Sequence, residues 1–333
     1  MNRATSATGW VRNPVMKSPE LDPTQASSYE LGWTFNPITG CLNHVDGLCE
    51  GGGFPCYACK LANGRLKQRY LANTNTAYMS KFPDIGYSKL INPFYPRFWE
   101  NRLKEIDRRS YFSKPQGIFV CDMGDLFGIG VPEEWTRRIL GVIDEQLMRP
   151  QKDRFYLLTK QPQNLIKFSP FPENCWVGVT ATNAKMFRNA MFYLGNIEAS
   201  IKYISFEPLL SSANAPDQNG DPPELDYNFS LNIINWLIIG ACTGRSPELL
   251  KLQQHYPSIT LMPYGHQWTA QPPIEWVQEI VEAADKAGVK VFLKDNLLPL
   301  FRRGDIWAIP EWAGFNDWTK QDIGTTLRQE MPE

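Results

Sequence analysis

Short apolar runs bounded by turn residues recur along this chain, and they constrain its fold more than any other feature. The clearest runs are residues 117–121, 155–158, 176–179, 201–206, 236–239 and 289–293. Runs of this length and composition are typical of strands buried on both faces. Helical patterns lie between them. One predicted helix begins at Pro132, which two acidic residues follow directly. Another spans Ile274–Ala287, with Gly288 as its C-terminal cap.

Buried strands alternating with helices predict a parallel sheet with helices outside it. With a short strand in 31–36, the chain has seven candidate strands. No glycine-rich dinucleotide fingerprint follows any of them, which favours a barrel over an open doubly wound sheet. We therefore expect an α/β fold, a single βα barrel of full or partial TIM type. Its predicted parts are an N-terminal tail (1–30), the barrel domain (31–300) and a C-terminal cover (301–333).

The composition excludes several classes of protein. The chain has 333 residues, a formal net charge of -1, and no apolar run long enough to cross a membrane. It has three histidines, no serine nucleophile elbow and no Walker-type phosphate loop, which argues against a histidine-based hydrolase or a P-loop enzyme. We expect a cytoplasmic protein without a membrane partner, in which cysteines stay reduced.

Four of the seven cysteines fall within nineteen residues, in a glycine-containing loop behind the first strand. They are Cys41, Cys49, Cys56 and Cys59. Thiolates suit zinc and iron–sulfur clusters. A four-thiolate structural zinc site and a Cys56–Cys59 dithiol are the alternatives. The place of the loop, at the expected catalytic end of a barrel, favours a 4Fe–4S cluster. Three cysteine ligands would leave one iron open, and Cys59 as a fourth ligand would close it.

Polar residues follow most of the predicted strands, where parallel barrels place their chemistry. As catalytic candidates we select Asp122, Lys160, Glu207 and Lys294. As cofactor-binding candidates we select Asn36, Tyr57, Thr180 and Asp125. Taken singly, each is more often a helix cap or a loop salt bridge than a catalytic group. As a set they predict a polar pocket.

Residues 60–114 are rich in bases and aromatic rings, with twelve Lys or Arg against four Asp or Glu. Lys60, Arg65, Lys67 and Arg69 directly follow the cysteines. Basic side chains can bind phosphates, and aromatic rings can stack on nucleobases. Together they indicate a nucleic-acid partner. The alternative is a solvated helix face whose aromatic residues pack inward. A partner protein required for activity is a further interpretation.

The motif residues also resemble a known family. Trp33-Thr-Phe-Asn-Pro-Ile-Thr-Gly-Cys41, then Cys49, then Cys56-Tyr57-Ala58, resembles the phage-associated three-cysteine-motif family, whose function is uncharacterised and which looks like a distant relative of radical S-adenosylmethionine enzymes. Later segments, from Asp122-Met-Gly-Asp125 to Ile239-Gly240, extend the resemblance to about residue 295. The Asn-Pro, Gly-Cys and Cys-Tyr-Ala pattern bears a weaker likeness to enzymes of the spore-photoproduct-lyase type, which act on DNA.

The resemblance implies that Cys41, Cys49 and Cys56 hold a 4Fe–4S cluster whose open iron binds S-adenosylmethionine, with Tyr57 packed beside it. The cysteine gaps of seven and six residues are wider than the family of radical enzymes usually has, and no Gly-Gly-Glu motif is present. The resulting hypothesis is a radical-type enzyme that modifies or repairs a nucleic acid or a nucleotide. The alternative is a nucleic-acid-binding protein with a structural zinc or an inert iron–sulfur site.

Overall fold

The structure is a computed structural model that describes ten stretches of the chain. They are residues 1–3, 9–14, 31–43, 55–77, 91–109, 113–150, 152–215, 231–303, 306–314 and 327–332. The chain divides into two compact units. The first comprises Met1–Glu50, Cys56–Gly178 and Asn196–Ser200, and the second Gly51–Pro55, Val179–Gly195 and Ile201–Glu333. The predicted division into tail, barrel domain and cover stays a prediction.

The described residues form fifteen strands and seven α-helices. The strands are β1 (Asn2–Arg3), β2 (Trp33–Phe35), β3 (Ile38–Thr39), β4 (Arg97–Phe98), β5 (Gly117–Val120), β6 (Arg154–Thr159), β7 (Cys175–Thr180), β8 (Ile201–Phe206), β9 (Trp236–Ile239), β10 (Cys242–Gly244), β11 (Thr260–Tyr264), β12 (Gln267–Gln271), β13 (Lys290–Leu293), β14 (Arg302–Arg303) and β15 (Ile306–Trp307). The helices are α1 (Tyr57–Asn63), α2 (Lys67–Leu71), α3 (Glu100–Asp107), α4 (Glu133–Glu145), α5 (Ala184–Gly195), α6 (Ser246–His255) and α7 (Ile274–Ala287). Short 3-10 helices cover Gln146–Met148, Pro162–Phe168, Leu231–Ile233, Asp295–Phe301 and Glu311–Ala313.

Eight strands form a mostly parallel sheet in the order β1-β2-β5-β6-β7-β8-β9-β13. All seven strands expected from the apolar runs are present, and the α/β class is confirmed. The strand order begins at β1 and ends at β13. Closure of the sheet into a barrel stays a prediction.

In the first unit, β2 pairs in parallel with β5, β5 pairs in parallel with β6, and β1 runs antiparallel to β2. All four residues of β5 are buried, as expected for a strand covered on both faces. Helix α4 begins after Pro132, carries two acids in its first turn, and buries Trp135, Ile139 and Ile143. Its apolar period therefore predicted its position correctly.

In the second unit, β8, β9 and β13 are parallel and end level with one another. Phe206 pairs with Ile239, and Leu293 pairs with the same Ile239. The residues that follow these three strands are consequently neighbours. Helix α7 ends at Gly288, whose φ of 70° places it in the left-handed region that suits glycine, as predicted.

A small antiparallel sheet in the second unit was not predicted. Its order is β10-β12-β11, and helix α6 shares a buried apolar cluster with it. The two-residue turn Gly265-His266 joins β11 and β12, and Gly265 has a φ of 56°. The outer strand β11 is largely exposed and contains Pro263, so it lacks the apolar run by which the other strands were recognised. The glycine turn was the available signal.

Residues 327–332 of the predicted C-terminal cover lie along the edge of β13. Leu293 N donates to Arg328 O at 2.8 Å, and Glu330 N donates to Val291 O at 2.9 Å. An antiparallel bridge pairs Phe292 with Gln329. Residues 327–332 thus pair with the last strand of the large sheet. None of the helices in the described ranges has the length and apolarity to cross a membrane.

Candidate functional site: a thiol cluster in the first unit

Cys41 follows β3 in the chain, and its position is fixed by backbone segments that pass close to one another there. Gly40 N donates to Met123 O and Cys41 N donates to Phe94 O, both at 2.9 Å. Gly40 has a φ of 86°, and a Cβ there would lie 2.4 Å from Tyr95 O. Only glycine combines that φ with that approach. The residue before Cys41 therefore fixes where the thiol lies.

Cys56 and Cys59 are brought together by the start of α1. Cys56 is the N-cap, with extended backbone, and its Sγ accepts a hydrogen bond from Cys59 N at 3.4 Å. Asn63 Nδ2 donates to Cys59 Sγ at 3.3 Å, one turn further along the helix. The Cys56 thiol thus caps the first turn of α1, which contains Cys59.

The three thiols pack against a single apolar cluster. Its buried members are Ala58, Ala62, Tyr70, Phe94 and Met123, and Cys41, Cys56 and Cys59 lie against them, partly buried. Burial raises the pKa of the Cys59 thiol, the nearby Cys56 raises it further, and the Asn63 hydrogen bond lowers it. We call Cys41, Cys56 and Cys59 the thiol site. Soft sulfur donors in this number suit zinc or an iron–sulfur cluster.

The fourth predicted ligand, Cys49, lies outside the described residues, as does the rest of the loop 44–54. Within the described part of the chain, no three Cys, His, Asp or Glu side chains are close enough to share one metal ion. The structure therefore gathers three of the four predicted cysteines at one apolar surface without forming a closed ligand set from them.

A hydrogen-bonded group anchors the residue next to Cys56. Tyr57 Oη lies 2.6 Å from Asp122 O and 3.1 Å from Asp122 Oδ2. Asn36 Nδ2 donates to Asp122 Oδ1, and Asn36 Oδ1 accepts from Met123 N at 2.9 Å. Burial raises the pKa of Asp122, opposed mainly by the hydrogen bonds from Asn36 and Tyr57. Three of the predicted site residues thus meet beside the thiol site.

Backbone strain directs Asp122. The preceding residue, Cys121, is buried and has a φ of 64°, a left-handed conformation that residues other than glycine rarely adopt. Such strain persists where the surrounding structure requires it, and it is common at functional sites. Here it turns the chain at the end of β5, directly before Asp122.

Asp125 was predicted to bind a cofactor, but the structure engages both of its oxygens within the chain. Its Oδ2 accepts from Asn43 at 2.7 Å and from Thr159 and Lys160 N at 3.0 Å. Its Oδ1 accepts from Phe127 N at 3.0 Å. This buried carboxylate ties the cysteine loop to the ends of β5 and β6, and a cofactor role for it stays a prediction.

The other predicted residues fall in two places. In the first unit, Lys160 directly follows β6 and is half-buried. In the second unit, Thr180 is buried at the end of β7. Glu207, directly after β8, and Lys294, directly after β13, form an ion pair. The structure thus joins Glu207 to Lys294, and the predicted polar pocket stays a prediction.

The bases and rings of the 60–114 segment separate in the structure. Lys60, Arg65, Lys67 and Arg69 are all exposed. The rings of Tyr70, Phe94, Tyr95 and Phe98 are buried and Trp99 is half-buried, while Tyr78 and Tyr87 lie outside the described residues. The expectation that these aromatic rings are free to stack on nucleobases is wrong for the four buried ones, because they form contacts within the protein core. The alternative of inward-packed aromatic residues is confirmed for them.

Arg102 belongs to the site region and was not singled out from the sequence. Its guanidinium lies 4.1 Å from the centre of the Trp99 ring, and its Nη1 donates to Asn36 O at 2.6 Å. Burial lowers the pKa of Arg102 to about 10. The sequence did not distinguish Arg102 as a site residue, because it lies in a helix with other basic residues and only the fold directs it towards Asn36.

The fold and the site together define an α/β protein with a thiol-rich candidate metal site behind the first parallel strand of its sheet. Residues 29–254 match the family described as "Protein of unknown function (DUF5131)", and the chain belongs to this family. No curated protein matches it. Membership of the phage-associated three-cysteine-motif family stays a prediction.

Among solved structures, the chain is similar to spore photoproduct lyase. One match is a single mutant of that enzyme with dinucleoside spore photoproduct, at 11% identity and a TM-score of 0.42. Another is a double mutant with bound AdoMet and dinucleoside spore photoproduct, at 10% identity and a TM-score of 0.36. Each covers 84% of this chain and 80% of the other. Similarity at this level carries no conclusion about activity.

Proposed function

We propose that this chain is an iron–sulfur enzyme of the radical S-adenosylmethionine-like type that acts on a nucleic acid or a nucleotide. The observation that carries the proposal is the packing of Cys41, Cys56 and Cys59 against one apolar cluster, to which separate constraints of the fold bring Cys41 and the Cys56–Cys59 pair. Cys49 is the further ligand that the sequence supplies.

The donor set fits such a cluster chemically. The thiol site lies on apolar and aromatic residues, and a poorly solvated surface of that kind suits thiolates once a metal compensates their charge. Cys41, Cys49 and Cys56 would hold three irons and leave one open. A cluster with an open iron, when it binds S-adenosylmethionine, supplies one-electron reduction that yields a carbon radical.

The chain's own residues orient this site. Tyr57 is 43% exposed beside Cys56, yet its hydroxyl is held by Asp122. Asn36 bonds to Asp122 and to the backbone after it, so the start of α1 is tied to the ends of β2 and β5. We propose that this group fixes the Cys56 sulfur and a cofactor beside it. Lys160 in the first unit, and Thr180, Glu207 and Lys294 in the second, remain candidate site residues.

The nucleic-acid part of the proposal depends on the exposed face of α1 and α2. Four bases project from residues 57–72, a stretch without a single acid, and the cysteines lie at the start of the same stretch. Exposed positive charge next to a reactive centre suits a phosphate backbone, and binding should weaken steeply as salt rises. Because Tyr70, Phe94, Tyr95 and Phe98 pack inward, we expect the contacts to be mainly with phosphates.

The test is a reaction. The anaerobically purified protein, supplied with dithionite and S-adenosylmethionine, should form 5′-deoxyadenosine, and an oligonucleotide should increase the yield. Cys49→Ala should abolish the product. Cys242→Ala, at a buried cysteine of the second unit, is the matched control and should retain it. No product from wild-type protein with its full iron content would contradict the proposal.

Cys59 decides between this function and its alternative. If Cys59 is a fourth ligand, no iron is open, and the chain is a nucleic-acid-binding protein with a structural zinc or an inert cluster. Its exposed basic face favours that alternative as the second candidate. In that case Cys59→Ala would reduce the bound metal as strongly as Cys56→Ala does. In the proposed enzyme, Cys59→Ala would leave most of it bound.

A further inference from the structure

Each of the three sulfurs in the thiol site accepts a hydrogen bond from an N–H group. Asn43 N donates to Cys41 Sγ at 3.3 Å, Cys59 N donates to Cys56 Sγ at 3.4 Å, and Asn63 Nδ2 donates to Cys59 Sγ at 3.3 Å. A neutral thiol is a weak acceptor, whereas a thiolate accepts the stronger, charge-assisted kind of bond. These donors therefore favour the state in which the sulfurs bind a metal.

The donor on Cys41 differs from the other two in what holds it in place. The donors on the other two sulfurs belong to α1 itself. Asn43 lies after β3, and its side chain is held by a residue 82 positions further along the chain, because its Nδ2 donates to Asp125 Oδ2 at 2.7 Å. Asn43 is buried, and its Oδ1 accepts from Ile129 N at 3.4 Å. The segment after β5 thus fixes both ends of this amide.

Asp125 is a buried carboxylate whose described donors are all neutral groups. They are the amide of Asn43, the hydroxyl of Thr159 and the backbone N–H groups of Phe127 and Lys160. The bond from Asn43, at 2.7 Å, is the shortest of them. Burying a charge costs free energy unless it is hydrogen-bonded, and a charged acceptor strengthens each bond that it accepts. Asp125 therefore holds the Asn43 amide more firmly than a neutral acceptor would.

We propose that Asp125 and Asn43 are positioning residues of the thiol site. The carboxylate fixes the side-chain amide of Asn43, and this fixes the backbone N–H that bonds the Cys41 sulfur. The inference rests on the metal site of the proposed function. With the N–H in place, Cys41 is favoured as a thiolate, so it should bind metal more tightly. Hydrogen bonds to sulfur also help to set the reduction potential of a cluster, and they raise it by stabilising the added negative charge.

The test is the affinity of the full, metal-free chain for cobalt(II), measured by competition with a chelator and followed by the thiolate-to-cobalt absorption. Asn43→Ala removes the amide that Asp125 holds. Because groups that orient a metal ligand typically change metal affinity by about 10–100-fold, we expect a loss of that size. Asn164→Ala is the matched control and should leave the affinity unchanged, since Asn164 Nδ2 donates to Phe127 O at 2.8 Å rather than to the Asn43 amide or a sulfur.

A second readout separates positioning from stability. In protein loaded anaerobically with iron and sulfide, a redox titration should give a lower reduction potential for Asn43→Ala than for the wild type, and an unchanged one for Asn164→Ala. A third measurement needs no variant, so it remains decisive if Asn43→Ala does not fold. In wild-type protein loaded with NMR-active cadmium, the Asn43 amide proton should show a scalar coupling to the metal across its hydrogen bond to Cys41 Sγ.

An unchanged cobalt affinity or an unchanged potential in Asn43→Ala would overturn this inference while the proposed metal site stands. So would an equal loss in Asn164→Ala, because the effect would then be one of general stability, or the absence of the coupling at Asn43. If the wild-type chain binds neither cobalt nor iron, the proposed function fails, and this inference fails with it.

Discussion

The thiol site of the first unit and the charged pair of the second differ in how completely the chain itself assembles them. The thiols lie on an apolar surface, and no three described ligands share a metal position. Glu207 and Lys294 already bond to each other over a glycine that makes room for them. The proposed metal would complete the first arrangement, whereas the second is part of the folded chain.

This difference teaches where each site should be vulnerable. Substitutions at the charged pair should act on the stability of the protein itself, because they remove one member of an ion pair whose lysine is buried. Substitutions of the thiols should act mainly on what the protein binds. Gly40, directly before Cys41, is the exception, because a substitution there should affect both the stability of the protein and what the thiols bind.

The largest effect on stability is expected from Glu207→Ala. It removes the carboxylate that pairs with the buried Lys294 ammonium, and removing one member of a buried pair lowers the free energy of unfolding by about 3–5 kcal/mol. Lys294→Met should have a smaller effect, because Glu207 is the more exposed partner and keeps contact with water. Urea denaturation of both variants checks the order. A larger loss in Lys294→Met would contradict it.

Gly40→Ala should be next, with a loss of about 2–4 kcal/mol, since a left-handed backbone and a clash with Tyr95 O act together. The control is Gly265→Ala, which has the same sign of φ and open space around its Cβ. Its loss should be about 1 kcal/mol. Gly40→Ala should also reduce the bound metal, because Cys41 is displaced. Equal effects of the two variants would show that the clash is absent.

Gly240→Ala should lower stability by about 1–3 kcal/mol, because its Cβ would press on Lys294 and Glu207. Gly141→Ala is a control of opposite sign. It lies inside helix α4 with nothing within 4 Å of its Cβ, so alanine should stabilise the protein by about 0.5–1 kcal/mol. Thermal unfolding of the two variants should move in opposite directions, and a common direction would refute the packing at Gly240.

The smallest effect concerns Asp122 and pH. Burial raises its pKa in the folded state, so the folded protein binds more protons than the unfolded chain in the acidic range between the two pKa values. The free energy of unfolding therefore falls as pH rises through that range. Asp122→Asn should remove this fall and leave the protein slightly more stable at neutral pH.

Glu100→Gln serves as the comparison for Asp122→Asn. A hydrogen bond from Arg138 lowers the pKa of Glu100, so its contribution is present above the unfolded pKa and disappears as pH falls through the folded one. Its removal should change the stability profile with the opposite sign. Denaturation midpoints between acidic and neutral pH check both, and changes of the same sign would contradict the assignment.

The apolar period of the sequence predicted most of the large sheet. Strands such as β5 and β9 are buried throughout, so their composition alone revealed them. The period failed at the exposed strand β11, where Pro263 and half-buried residues give no run. It also could not reveal that Tyr70, Phe94, Tyr95 and Phe98 pack inward, because basic and aromatic residues alternate in 60–114 and only the tertiary structure assigns each to a side.

The sequence indicated which residues to consider as site candidates, but it did not indicate how those residues are arranged. The cysteine spacing indicated a metal site, and Cys41, Cys56 and Cys59 pack against one apolar cluster, while the metal site itself stays a prediction. The sequence selected Glu207 and Lys294 separately, as strand-end residues. Their pairing depends on β8 and β13 both flanking β9, and strand order cannot be read from periodicity. Asp125, selected in the same way, accepts hydrogen bonds from Asn43 and from Phe127 N.

The most direct test of the central claim is the metal content of the anaerobically purified protein, measured as iron, acid-labile sulfide and zinc together with the visible spectrum. The account predicts about four irons and four sulfides per chain and a brown protein, with the iron lost in Cys41→Ala and Cys56→Ala and retained in Cys242→Ala. One zinc per chain, no sulfide and a colourless protein would contradict it.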